Sequence, residues 1–196
     1  MLKIAVLVSG GGSNLQTIID KIADGYLNCE IVKVIASRSN IYALERAKNH
    51  GIASEIISPK KFKSIEGFTK AMVLAVKESG AELIITAGYL TILGEEFAQA
   101  FKNRIINVHP SLIPDFCGKG FYGLKVHEEV LKAGVKTTGA TVHFVDEGID
   151  TGAIIMQKSV VVMDDDTPET LQKRVMDEAE SVILPKVIKL FEENKI

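Results

Sequence analysis

Asn107 and His109 stand two residues apart at the end of a short apolar run, Ile105-Ile106, and lead through Pro110-Ser111 into a loop rich in glycine and proline. On an extended segment, side chains at this spacing point to the same side. A carboxamide donor and an imidazole would then share one small space. That pair suits a reaction in which a carbonyl oxygen becomes negative while a proton moves. The segment Asp146-Glu147-Gly148-Ile149-Asp150-Thr151-Gly152 supplies the missing charge, being dense in carboxylates and carrying glycines that let backbone approach a ligand. A carboxylate near His109 would raise its pKa and favour the imidazolium. The plainer alternatives are a strand-end cap for Asn107 and a buried, hydrogen-bonded histidine for His109. His143 alternates with Val142 and Phe144, so it faces away from them and is a candidate supporting residue.

A second candidate site lies in Ser9-Gly10-Gly11-Gly12-Ser13-Asn14-Leu15, between the first strand-like run and the first helical one. Backbone N–H groups at a helix N-terminus attract anions, and glycines let a phosphate come close. Ser13 and Asn14 could add side-chain donors. The alternative is a tight turn with Ser or Asn as N-cap. The dinucleotide fingerprint fails, because Leu15 occupies the place of its third glycine and Ser37-Arg38-Ser39 offers no acid for a ribose. No Gly-Lys-Ser/Thr follows, so a nucleoside-triphosphate loop is excluded too.

These residues need a scaffold, and the apolar pattern supplies one. Ile4–Val8, Ile31–Ala36, Leu83–Ala87 and Ile105–Val108 read as buried strands, with Ala53–Ile57 a weaker one. Helical patterns cover Ser13–Ala23, Ala43–Asn49, Gly67–Glu78, Gly94–Phe101 and Leu124–Ala133. The alternation predicts an α/β fold with a mostly parallel central sheet and helices on both faces. Thr137–Phe144 and Ile154–Val162 would add a short antiparallel extension near the C-terminus. A long final helix should start near Thr167, an N-cap followed by Pro168 at the first helical position. Asp164-Asp165-Asp166 before it reads as a solvated turn that favours the helix dipole. His50 is expected on the surface, and His127 either solvated or packed.

The bulk properties set outer limits. A chain of 196 residues fits one domain, and 46% hydrophobic with 24% charged residues is ordinary for a globular protein with a real core. A net charge of -2 gives no general attraction to nucleic acid or anionic membrane. Cys29 and Cys117 are too few for a disulfide framework, which favours a reduced, cytoplasmic setting. No HExxH, CxxC or Gly-x-Ser-x-Gly occurs, so no metal and no serine nucleophile is expected.

Taken in order, Ser9–Gln16, Ala87-Gly88-Tyr89-Leu90, Asn107-Val108-His109-Pro110-Ser111-Leu112-Ile113-Pro114, Val142-His143-Phe144-Val145 and Asp150-Thr151-Gly152 resemble the phosphoribosylglycinamide formyltransferases of purine synthesis. The likeness runs along essentially the whole chain. It implies a Rossmann-like formyltransferase fold in a single domain, residues 1–196, with a phosphate-binding half to about residue 100 and a folate and catalytic half after it. It implies formyl transfer from the cosubstrate 10-formyltetrahydrofolate to the amine of glycinamide ribonucleotide. Asn107, His109 and Asp150 match the catalytic residues, Asp150 being the aspartate that keeps the histidine protonated. Gly12, Ser13 and Asn14 match the phosphate loop. Glu180 matches a ribose-holding acid, with an apparent one-residue insertion beside it. Leu90, Thr91, Ile92 and Leu93 match the folate-lining segment, and Asn107 with Asp146, Glu147 and Gly148 completes that pocket. Partners would be small molecules only, on a monomer or homodimer.

The chain also departs from its relatives. Many carry arginines where Ile65 and Thr91 stand, near the folate glutamate tail; Lys60, Lys61 or Lys63 are candidate substitutes. The glycine-rich segment 115–123 is either a mobile flap or an ordered surface loop. Competing readings are a formyltetrahydrofolate deformylase, a formyltransferase for tRNA or a sugar nucleotide, and a non-catalytic binding module. The known deformylases and tRNA enzymes carry an extra domain for which 196 residues leave no room.

Overall fold

The computed structural model describes residues 1–196. Strands β1 (Leu2–Val8), β2 (Cys29–Ala36), β3 (Ser54–Ile56), β4 (Leu83–Thr86), β5 (Ile105–His109), β6 (Thr137–Phe144) and β7 (Ile154–Val161) form one seven-stranded sheet in the order β3-β2-β1-β4-β5-β6-β7. From β3 to β5 every pairing is parallel; β5–β6 and β6–β7 are antiparallel. The expected parallel sheet with an antiparallel extension is therefore what the chain forms. The strand order reverses between β1 and β4, which is where open α/β sheets leave a crevice beyond the carboxyl ends of the strands.

Alternation along β1 shows how the layers are built. Ile4, Val6 and Val8 face a core of 32 buried residues shared with helices α1 (Ser13–Ala23), α2 (Tyr42–Asn49), α5 (Leu124–Ala133), α6 (Pro168–Val175) and α7 (Ser181–Glu192). Leu7 faces the opposite way, into a core of 10 buried residues under α3 (Ile65–Ser79) and α4 (Glu95–Ala100). The second face is thus the more thinly covered one. Ile105 of β5 lies beneath α3 and α4 on that face. The next residues with the same orientation, Asn107 and His109, run past the edge of this cover.

The chain's C-terminal stretch is not one continuous helix. Thr167 caps α6 by accepting from the Thr170 N–H, while Thr170 Oγ1 accepts from the Thr167 N–H, a reciprocal box that satisfies two otherwise orphaned donors. A π-helical turn, Met176–Glu180, then separates α6 from α7. Such a turn takes up one extra residue in a helix and is frequent at functional sites. The preceding acidic turn is expected from sequence to be solvated throughout, but one of its carboxylates is not. The Asp166 carboxylate, 1% exposed, is clasped by the Arg174 guanidinium, and that hydrogen bond lowers its pKa to about 2.

Candidate active site

β5 and β6 bring four polar side chains to the thinly covered face. Asn107 stands opposite His143 and His109 opposite Thr141 in the antiparallel register. Asp150 arrives from the β6–β7 connection with φ of 58°, a left-handed conformation that Asp tolerates better than most residues. Its position is fixed from behind by Gly152, where a Cβ would lie 1.8 Å from the Phe144 carbonyl oxygen.

The side chains meet. Asp150 Oδ2 is 3.6 Å from His109 Nδ1 and accepts the Gly118 N–H at 2.9 Å. Asp150 Oδ1 is 3.5 Å from His143 Nε2 and accepts from Asn107 Nδ2 at 3.4 Å. His109 Nε2 donates to the Phe116 carbonyl at 2.9 Å. His143 Nδ1 donates to the Phe144 carbonyl at 2.8 Å, which leaves its Nε2 to accept from Asn107 at 3.1 Å. The Asn107 oxygen takes the Thr86 hydroxyl at 2.7 Å, so the amide hydrogens are turned toward the cluster.

Asn107, His109, His143 and Asp150 line one cavity of about 540 Å³. Leu90, Thr91, Ile92 and Leu93 form one wall and Asp146, Glu147 and Gly148 another, with Gly118–Gly123 across the mouth. All the residues expected in the folate pocket therefore border the same space as the catalytic candidates. An apolar wall with a few convergent polar groups suits a flat heterocycle.

The electrostatics differ from the sequence expectation in one respect. Burial pushes the His109 pKa below its ordinary value, outweighing the lift from Asp150 and from the Phe116 carbonyl; His143 lowers it further. The carboxylate acts in the expected direction but does not win in the unliganded chain. Burial also pushes the Asp150 carboxyl upward, yet its contacts with His143 and His109 and the Gly118 N–H bring it out below the usual carboxylate range. Asp150 thus stays ionised.

The glycine loop follows β1 at the switch point. Gly12 has φ of 72°, and a Cβ there would fall 2.7 Å from the Ala43 Cβ, so only glycine fits between α1 and α2. Gly12 itself is the helix N-cap, without a side-chain cap from Ser13 or Asn14. Asn14 does not offer its amide to an outside anion as expected. It is buried and donates to Glu180 Oε2 at 2.8 Å, leaving its own oxygen unpartnered. Glu180 closes the π-helical turn, and its burial raises its pKa to about 7 against the Asn14 hydrogen bond. The Ser9 hydroxyl joins this loop to the main cavity by accepting the Leu90 N–H at 2.9 Å.

Several contributors went unread in the sequence. Thr86 is an ordinary strand-end threonine until Asn107 is seen beside it, and the Phe116 carbonyl and Gly118 N–H are backbone groups with no residue signature. Lys60, Lys61 and Lys63 do not reach the cavity; Lys61 borders a separate hollow beneath α3, and Lys119 is the one cation lining the main cavity. His127 is fully buried with neither ring nitrogen bonded, and burial lowers its pKa to about 4. No cluster of three or more His, Cys, Asp or Glu is arranged to hold a metal ion. No helix is long and apolar enough to cross a membrane.

A doubly wound sheet with an Asn-x-His segment on β5 and an aspartate brought to it by the β6–β7 connection defines the class: the chain belongs to the formyl transferase family, whose sequence profile matches residues 2–188. Among its relatives, a chloroplastic phosphoribosylglycinamide formyltransferase of Arabidopsis thaliana is 39% identical over 192 residues, 97% of this chain and 66% of the plant protein. A trifunctional purine biosynthetic protein of Drosophila pseudoobscura pseudoobscura is 43% identical over 175 residues, 88% of this chain and 12% of that longer protein. The crystal structure of glycinamide ribonucleotide transformylase 1 from Symbiobacterium toebii superposes with a TM-score of 0.92 at 39% identity, covering 99% of this chain and 89% of its own.

Proposed function

We propose that this chain transfers the formyl group of 10-formyltetrahydrofolate to the amine of 5-phosphoribosylglycinamide, giving formylglycinamide ribonucleotide and tetrahydrofolate. The carrying observation is the convergence of Asn107, His109 and Asp150 on one wall of the cavity that Leu90–Leu93 and Asp146–Gly148 enclose. The amine lone pair attacks the formyl carbon, and the carbonyl electrons move onto oxygen. The Asn107 amide and protonated His109 donate to that oxyanion, each such donor being worth roughly a hundredfold to a thousandfold in rate. The attacking nitrogen gives up a proton, the folate nitrogen gains one, and the carbon–nitrogen bond to the folate breaks. Asp150 stays ionised and opposes the burial penalty on the imidazolium. His143 orients the Asn107 amide.

The substrate phosphate is placed on the backbone of Gly12, Ser13 and Asn14, with Glu180 toward the ribose. In this reading Asn14 serves through its backbone N–H, while its side chain orients Glu180. The whole chain acts as one domain, in a cytoplasmic setting.

The test is an incubation of the purified chain with 10-formyltetrahydrofolate, with and without phosphoribosylglycinamide. The proposal expects formylglycinamide ribonucleotide in equal amount to tetrahydrofolate, by mass spectrometry. Free formate released regardless of the amine would point to a deformylase and refute it.

A further inference from the structure

The phosphate reading leaves open what keeps a run of glycines facing an anion. Gly10 and Gly11 touch nothing that would hold a side chain, since a Cβ at either would meet no atom within 4 Å. No neighbour on the side a Cβ would take therefore fixes these peptides. A flipped peptide would present its carbonyl oxygen to the phosphate and repel it.

Hydrogen bonds to the carbonyls fix them instead. Arg38 Nε donates to the Ser9 carbonyl at 2.8 Å, the Ala43 N–H to the Gly10 carbonyl at 3.2 Å, and Arg46 Nε to the Gly11 carbonyl at 2.9 Å. The peptides here are trans, so each N–H points opposite to the carbonyl of its own peptide unit. Capping the carbonyls of Ser9, Gly10 and Gly11 aims the N–H groups of Gly10, Gly11 and Gly12 the other way. Those N–H groups make no hydrogen bond within the chain.

Neither arginine is occupied elsewhere by a carboxylate; neither Arg38 nor Arg46 forms an ion pair. Arg46 is further braced by Gln16 Oε1 at 2.8 Å and by the Tyr42 ring, 4.6 Å from its guanidinium carbon. A cation on the carbonyl polarises the peptide and strengthens the N–H at its far side. Two fixed positive charges beside the loop also favour a dianion.

We propose that Arg38 and Arg46 are positioning residues for the substrate phosphate, acting through the Ser9, Gly10 and Gly11 carbonyls. They lock three successive peptides with N–H outward and add positive charge behind them. The inference rests on the phosphate reading of this loop.

The test uses the full chain, inorganic phosphate as probe, and the variants Arg46→Met, Arg46→Lys and Arg38→Met. Phosphate is titrated while the amide resonances from Gly10 to Asn14 are followed, and steady-state constants are measured for both substrates. In the wild type the Gly10, Gly11 and Gly12 amides should shift on titration. Arg46→Met should weaken phosphate and raise the KM for the ribonucleotide by roughly tenfold each, the scale of one lost charge-assisted hydrogen bond. The KM for the folate and kcat should change far less. Arg46→Lys should recover part of the loss, and Arg38→Met should show a smaller change of the same kind because Arg38 is exposed. A fall in melting temperature with phosphate affinity unchanged in both Met variants would overturn the proposal and leave Arg46 as a brace between α1 and α2. If Arg46→Met does not fold, Arg38→Met decides by the same criterion. Shifts confined to Ser13 and Asn14 would overturn this inference alone, and wild-type amides from Gly10 to Asn14 that all ignore phosphate would overturn the phosphate reading itself.

Discussion

Replacing Asp150 with Asn is the sharpest probe of the catalytic cluster. Asn is nearly isosteric and is among the few residues that tolerate the left-handed φ of 58° at this position, so the backbone has no reason to move. The Gly118 N–H keeps an oxygen acceptor. What disappears is a negative charge 3.6 Å from His109 Nδ1. At an effective dielectric of about 20, that charge is worth up to about 5 kcal/mol to the imidazolium. Burial already holds the His109 pKa below its ordinary value, and Asp150 is the largest force opposing it. Asp150→Asn should therefore lower the His109 pKa further and deplete the imidazolium that the reaction draws on at pH 7. A neutral imidazole hydrogen-bonded to the Phe116 carbonyl is a poor donor to an oxyanion, so kcat should fall by about a hundredfold to a thousandfold. The sign is definite. The rate depends on the protonated histidine, so the limb on which activity falls with rising pH should move to lower pH in the variant. The assay is kcat/KM against pH, paired with an NMR titration of His109. An unchanged His109 titration, or a rate within threefold of wild type, would refute the reasoning.

Thr86→Val should release the Asn107 oxygen and let the amide rotate, lowering kcat by roughly tenfold with little loss of melting temperature, since one hydrogen bond nets about 1 kcal/mol. Asn107→Ala should cost about a hundredfold or more in single-turnover rate while affinity for the ribonucleotide holds. Glu180 has a folded pKa of about 7, raised by burial from 4.5, so its contribution is fully present below pH 4.5 and is lost as pH rises through 7. Denaturant unfolding of wild type at pH 5 and pH 8 should differ by a term on the order of 3 kcal/mol that Glu180→Gln removes. Gly152→Ala should disturb the Asp150 backbone through the Phe144 carbonyl and reduce both melting temperature and activity.

The sheet was readable because its strands are buried on both faces and so appear as continuous apolar runs; Ile4–Val8 and Leu83–Ala87 can pack in no other way. The edge strand β3, exposed along its whole length, gave the faintest pattern for the same reason. Asn107, His109 and His143 were legible from strand alternation alone, since a period of two fixes which side they face. Their bond to Asp150 was not, because a connection of several residues sets that approach. The inward turn of Asn14 toward Glu180 depends on a helix 166 residues away in sequence and on a π-helical turn that no local pattern announces. The balance at His109 escaped for another reason: burial is a property of the folded surroundings, and here it exceeds the effect of the nearest charge.

The central claim is that the imidazole of His109 acts on the reacting formyl group. Single-turnover formyl transfer by His109→Ala, with binding of both ligands measured in parallel, tests it most directly. The account predicts both ligands bound within a few-fold of wild type and a chemical step slower by about a hundredfold or more. A chemical step that proceeds at nearly the wild-type rate would contradict it.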